Sequence, residues 1–196
     1  MRMNVDNPSY FGLYVLADAA WGDPLVMVRL AASAGVRVVQ LRCKSWPIEE
    51  LLELGQRCRG LVPRLIINDR VEVARALGVE VHLGQGDGPD PTDVPFGRST
   101  HDIQEVRAAA GAQYLGFGPI FPTRSKADAL TPRGPARLAE AVRASSRPIV
   151  AIGGIGPENL AEVQETGAAG WAVAGAIWAS ADPAGALRQL QRVALR

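Results

Sequence analysis

Pro148-Ile149-Val150-Ala151-Ile152-Gly153-Gly154-Ile155-Gly156-Pro157-Glu158-Asn159-Leu160 reads as a strand, a glycine turn and the opening of a helix. The short β-branched run at 148–152 suits a strand. Pro157 suits the first turn of a helix, where its missing N–H would be unpaired in any case. The spacing predicts that helix over 157–166, with Gly167 just past its end, as a C′ glycine should be. The same order then recurs: a strand at 170–174, the turn Ala172-Val173-Ala174-Gly175-Ala176, and a helix over 183–193 opened by Pro183 behind Asp182.

Worked outward to the N-terminus, this alternation covers the chain. Further strands are predicted at 12–17, 37–42, 64–68, 80–83, 96–100 and 114–118, and further helices at 24–34, 47–59, 71–77, 103–110 and 135–144. Pro24, Pro47 and Pro135 open three of these helices, and Asp23 caps one; Gly35, Gly60, Gly78 and Gly111 close four. Eight strands alternate with seven clear helices. The missing helix falls between strands four and five, where Gly86-Asp87-Gly88-Pro89-Asp90-Pro91-Thr92-Asp93-Val94-Pro95 has three prolines and no apolar period. Strict alternation with a count of eight predicts an α/β chain folded as one (β/α)8 TIM barrel over residues 1–196, with the helix between strands 4 and 5 shortened or missing. A doubly wound open sheet is the alternative. No linker, long repeat or second domain interrupts the pattern.

Composition narrows the function. Of the 196 residues nearly half are apolar, which is enough for a core, and the net charge of +1 comes from interspersed acids and bases. No basic stripe suggests nucleic acid, and no apolar stretch approaches the roughly 20 residues that cross a bilayer. The first eight residues carry no apolar signal core, and Cys43 and Cys58 are too few and too oddly spaced for a disulfide framework or a zinc site. A reducing cytoplasm is therefore expected. A homodimer is left open.

The chain has two lysines, Lys44 and Lys126, against nineteen arginines. Where arginine serves almost everywhere, a retained lysine points to a need for a compact ammonium. Both lysines follow strand-like runs, in Gln40-Leu41-Arg42-Cys43-Lys44-Ser45 and Pro122-Thr123-Arg124-Ser125-Lys126. Strand alternation puts Val38, Gln40, Arg42 and Lys44 on one face and Val39, Leu41 and Cys43 on the other. The second, apolar set should meet the helices. The first then points into the barrel and ends in two cations, which call for an anion such as phosphate or pyrophosphate. The turns after strands seven and eight offer backbone N–H groups, at the place where barrels of this kind hold phosphate.

Asn68 and Asp69 end strand three, and Asp87 follows strand four in His82-Leu83-Gly84-Gln85-Gly86-Asp87. Neighbouring strands would bring the two carboxylates to one place, which suits Mg2+. Singly, Asp69 could be a helix cap and Asp87 a turn residue. Ser99, Thr100 and His101 end strand five; their hydroxyls could meet phosphate oxygens and His101 could move a proton. His82 is expected to be a structural histidine on a strand. No Ser-His-Asp order or thiol–histidine pair emerges.

Together these segments, with Tyr14-Val15-Leu16-Ala17-Asp18, Ser99-Thr100-His101 and Gly118-Pro119-Ile120-Phe121-Pro122-Thr123-Arg124-Ser125-Lys126, resemble the thiamine-phosphate synthase family and its relatives, the thiazole tautomerases. The resemblance spans nearly the whole chain. It implies a transferase that joins a hydroxymethylpyrimidine pyrophosphate to a thiazole phosphate and releases pyrophosphate. It further implies that Gln40, Arg42, Lys44, Asn68, Ser99 and Lys126 hold the pyrimidine substrate, and that Asp69 and Asp87 hold Mg2+. Thr123, Ser125, Gly154, Ala174 and Gly175 would hold the thiazole phosphate. Arg42, Lys44 and Lys126 would stabilise the leaving group.

Three departures stand out. Cys43 replaces an acid, Gly175 replaces a serine, and the segment between Asp87 and Ser99 is short, which leaves open how firmly Asp87 is placed. Two alternatives remain. A tautomerase would use His101 and need no metal, and Arg133-Gly134 has a flavour of that branch. A non-catalytic regulator would bind a phosphorylated ligand on the same barrel.

Overall fold

Val38-Val39-Gln40-Leu41-Arg42 shows how the sequence builds the sheet. Val39 and Leu41 are fully buried in the outer core, while Val38 belongs to a separate cluster inside the barrel with Phe11, Tyr14, Ile66, Tyr114 and Val150. Cys43 packs outward, as expected. The computed structural model describes residues 10–109, 111–123 and 131–194. Its strands are β1 (Gly12–Asp18), β2 (Val38–Arg42), β3 (Arg64–Asn68), β4 (Glu80–Leu83), β5 (Phe96–Thr100), β6 (Tyr114–Phe117), β7 (Ile149–Ile152) and β8 (Gly170–Val173). All pair in parallel and in sequence order, and β8 returns to β1, so the sheet closes into a barrel.

The helices are α1 (Pro24–Ser33), α2 (Ile48–Cys58), α3 (Val71–Leu77), α4 (Ile103–Ala108), α5 (Gly134–Ala144), α6 (Leu160–Glu165), α7 (Gly175–Trp178) and α8 (Pro183–Ala194). Asp23 caps α1 by accepting from the backbone N–H groups of Leu25 and Val26, with Pro24 in the first turn. Asp102 caps α4 by accepting from Glu105 N, and the Glu105 carboxylate reaches back to His101 N at 2.5 Å. α6 starts three residues later than Pro157 predicts. Asn159 explains the delay: its side chain accepts from Gly156 N and donates to Gly154 O, which holds the preceding residues in a turn. The short α7 was not anticipated, because four residues carry no amphipathic period. No helix occupies the β4–β5 connection.

Inner and outer cores follow from strand alternation. Side chains such as Leu41, Leu115 and Trp171 fill the space between sheet and helices. Each such large apolar side chain contributes about 1.5–3 kcal/mol on burial. At the N-terminal end of the barrel, Arg64 and Glu80 pair bidentately at 2.7 and 2.6 Å, with the guanidinium 4.0 Å above the Phe11 ring. That plug leaves the C-terminal end as the open one.

Candidate active site

A cavity of about 890 Å³ opens at the C-terminal ends of the strands, a size that suits small-molecule substrates. Gln40, Arg42, Asn68, Ser99, His101 and Thr123 line it, and so do Gly154, Ala174 and Gly175 on the far side. These nine sequence-predicted residues, which come from six of the eight strand ends around the barrel, therefore meet in one place. Ser125 and Lys126 lie outside the described residues. Gln40 comes inward because β2 alternates; Asn68 is the last residue of β3, and its buried amide lies beside the Asp69 carboxyl, whose charged form it favours.

Lys44, Asp69 and Asp87 follow the ends of β2, β3 and β4, and none of the three is among the residues that line the cavity, although Arg42 and Asn68 of the same strands are. Lys44 is about half exposed, and its Nζ is 3.7 Å from Asp69 Oδ2. Asp69 follows β3 with φ +64, a left-handed conformation that Asp tolerates better than most residues. It does not cap α3, whose cap position is Arg70. Asp87 keeps part of its turn role, since Oδ2 accepts from Gly84 N at 2.5 Å. The two carboxyls also hydrogen-bond to each other. Burial, and next the neighbouring Asp87, push Asp69 up to about 6. Burial also raises Asp87, but the hydrogen bonds from Asp69 and from Gly84 outweigh it and leave Asp87 below the usual range. Two acids that compete for one charge, beside solvent, fit a hard divalent cation. No cluster of three or more potential ligands occurs among the described residues, so protein would supply only two carboxylates.

The loop that carries Asp87 is tied down without its helix. Arg98 donates to Gly84 O at 2.8 Å and to Gly88 O at 3.3 Å, and it pairs with Asp90. Arg75 holds Asp93 bidentately at 2.5 and 2.9 Å, and Val94 is buried in the core. Three anchors replace the missing element.

Two expectations need correction. Arg42 does not stand as an uncompensated cation: the β1–β2 register sets Asp18 beside it, and the two form a tight ion pair. With Lys44 near Asp69, both cations have carboxylate neighbours, so the charge argument for an anion is weaker than sequence implied. Thr100 is also less available, because it is 1% exposed and its hydroxyl donates to Gly116 O at 3.0 Å.

On the opposite edge Gly154 has φ +64, and a Cβ there would lie 2.4 Å from Pro122 O. Only glycine fits, and its backbone stays open to the cavity. Trp178 of α7 donates to Leu16 O at 2.6 Å, which pins the Ala174–Gly175 turn to β1. His101 Nδ1 is 2.7 Å from Gly118 O, which can only accept, so that nitrogen carries a proton. Cys43 and Cys58 are both free and buried, and burial pushes their thiols up to about 12 and about 11, so they are inert. Sequence reading passed over Tyr14, Tyr114 and Asp18, which line the cavity. Asp18 could have been found by aligning strand ends, since it ends β1 where Arg42 ends β2.

The comparisons with known proteins converge. A family model described as Thiamine monophosphate synthase matches residues 13–177. The thiamine-phosphate synthase of Anaeromyxobacter dehalogenans is 42% identical over 193 residues, covering 92% of this chain and 86% of that one. The thiamine-phosphate synthase of Moorella thermoacetica is 40% identical over 202 residues, covering 94% and 96%. A solved structure of thiamine phosphate pyrophosphorylase from Pyrococcus furiosus superposes with a TM-score of 0.86 at 32% identity, covering 95% and 96%.

Proposed function

The chain belongs to the thiamine monophosphate synthase family, and from that premise we propose that it is a single-domain, cytoplasmic transferase that joins hydroxymethylpyrimidine pyrophosphate to thiazole phosphate. One observation carries the reading. A single cavity is lined by Gln40, Arg42, Asn68 and Ser99 on one side and by two glycine turns on the other, with Lys44 and the Asp69–Asp87 pair beyond the ends of β2, β3 and β4, so it offers two separate places for phosphorylated groups.

In this reading Gln40, Asn68 and Ser99 hold the pyrimidine substrate, and Arg42, Lys44 and Lys126 face its pyrophosphate. Thr123, Ser125, Gly154, Ala174 and Gly175 receive the thiazole phosphate. Loss of pyrophosphate from the aminopyrimidine methylene leaves a cation stabilised by resonance. The ammonium and guanidinium groups offset the charge that grows on the departing oxygen. Asp69 and Asp87 would hold Mg2+, which when bound supplies further neutralisation of the pyrophosphate. The thiazole nitrogen then attacks the methylene, and positioning supplies the rest of the catalysis. Nitrogen attack releases no proton, so this chemistry gives His101 no task as a base. An isomerisation would use His101 instead and leave the acid pair without a role.

Thiamine phosphate should form when purified protein receives both substrates with magnesium, and formation should stop in excess chelator or in the Asp87→Ala variant. His101→Ala should retain most of the coupling. Full coupling in chelator would overturn the metal assignment, and isomerisation of a thiazole carboxylate phosphate without coupling would overturn the synthase.

A further inference from the structure

Five side chains from five strands form one hydrogen-bonded row across the barrel interior. Gln40 Nε2 donates to Tyr14 OH at 2.8 Å, and the Tyr14 and Tyr114 hydroxyls are 3.0 Å apart. Tyr114 OH is 2.9 Å from His82 Nδ1, and His82 Nε2 is 2.9 Å from Ser99 Oγ. Gly97 makes room for the row, since a Cβ there would lie 2.2 Å from the Tyr114 ring. Both ends, Gln40 and Ser99, line the cavity.

Counting protons gives the row a direction. A phenol has one proton, and a neutral imidazole has one donor and one acceptor nitrogen. Tyr14 already accepts from the Gln40 amide, so its own proton goes to Tyr114. Tyr114 then donates to His82 Nδ1, His82 carries its proton on Nε2, and Nε2 donates to Ser99 Oγ. The Ser99 hydroxyl proton is left for the cavity, and so is the Gln40 carbonyl. Burial raises both phenols well above their ordinary range, so both stay protonated.

We propose that Tyr14, Tyr114 and His82 are positioning residues that hold Ser99 as a donor and Gln40 as an acceptor, so that the cavity wall reads a ring nitrogen beside an exocyclic amine. The ligand part of this inference rests on the synthase reading, in which an aminopyrimidine occupies that wall. Asn68, which also lines the cavity, adds a second amide one strand away from Gln40. Turning the Gln40 amide over would reverse every bond in the row. Ser99 would then donate to His82, the His82 proton would sit on Nδ1, and the wall would present the opposite pattern.

The tautomer of His82 therefore decides the direction. The chain has only two histidines, so 15N spectra of histidine-labelled protein are simple to assign. His101 should show a protonated Nδ1, because it faces a carbonyl, and His82 should show a protonated Nε2. A His82 protonated on Nδ1, or on both nitrogens, overturns the direction. The functional arm compares Tyr114→Phe, Ser99→Ala and their combination. Each single change should raise KM for the pyrimidine pyrophosphate about tenfold, the cost of one buried hydrogen bond, with KM for the thiazole phosphate unchanged. Linked through one row, the combination should lose less than the product of the two singles. Fully multiplicative losses, or equal losses in both substrates, overturn a positioning role. Should Tyr114→Phe fail to fold, Tyr14→Phe replaces it, and the spectra of the parent need no variant. A parent protein that joins no substrates overturns the synthase reading and the ligand named here, while the spectra still decide the row.

Discussion

Asp69 combines an unusual backbone with an unusual charge. Its φ of +64 favours Asp, Asn or Gly, and burial beside Asp87 raises its pKa to about 6. The raised value has a sign that can be followed. Between the ordinary value of 3.8 and about 6, the folded protein binds a proton that the unfolded chain has released, so stability falls as pH rises through that window and then levels off. Asp69→Asn keeps the conformation and removes the ionisation. It should stabilise the metal-free protein at pH 8 by on the order of 1–3 kcal/mol and leave stability unchanged near pH 3. Denaturant unfolding in chelator at both pH values checks this; an equal effect at both would assign the gain to something other than charge. The same variant should lose coupling, because one of two carboxylates is gone. Asp69 was legible as an acid at a strand end. Its charge competition was not, because that depends on a carboxylate eighteen positions away in sequence, brought close by the loop after β4.

At the scale of elements, the β4–β5 connection departs most from a regular barrel. The three prolines in 86–95 announced the missing helix, but not what stands in for it. Arg98 does so from the middle of β5, with its side chain 11% exposed and its donors on two carbonyls and Asp90. Arg98→Met should therefore lower stability by about 2 kcal/mol, the worth of charge-assisted hydrogen bonds at a partly exposed site. Hydrogen exchange should localise the change to amides of 84–90, with the strands still protected. Because Asp87 moves with that loop, coupling should fall as well. Uniformly faster exchange across the sheet would place Arg98 in the general core instead. Element boundaries elsewhere followed local signals closely. They failed at α6 and α7, where a side-chain brace and a four-residue helix leave no periodic trace.

Across the whole molecule, the barrel separates stability from chemistry by its two ends. The Arg64–Glu80 pair and Phe11 close the N-terminal end, and the cavity occupies the other. Glu80→Ala leaves a half-buried guanidinium without its partner. It should cost roughly 2 kcal/mol, below the 3–5 typical of a fully buried pair because both side chains keep some solvent. Thermal unfolding should shift down while KM for both substrates stays at the parent value. A change in either KM would mean that the plug supports the cavity through the interior row.

The order of strands and helices, the missing helix, the inward face of β2 and the glycine turns were all determined by the sequence, because each is a local signal: periodicity, a proline or a glycine at a fixed offset. The same is true of the retained lysine beside a cationic strand end. Lys44 follows the end of β2 with Asp69 as its neighbour rather than alone, and it is not among the residues that line the cavity. Only the tertiary structure decided which charges are compensated and which polar groups are joined. Arg42 meets Asp18 through strand register, Asp69 meets Asp87 through a loop, and Gln40 reaches Ser99 through three side chains from other strands. Those pairings depend on closure of the sheet, which brings residues far apart in sequence within hydrogen-bond distance, and no local pattern records a distance of that kind.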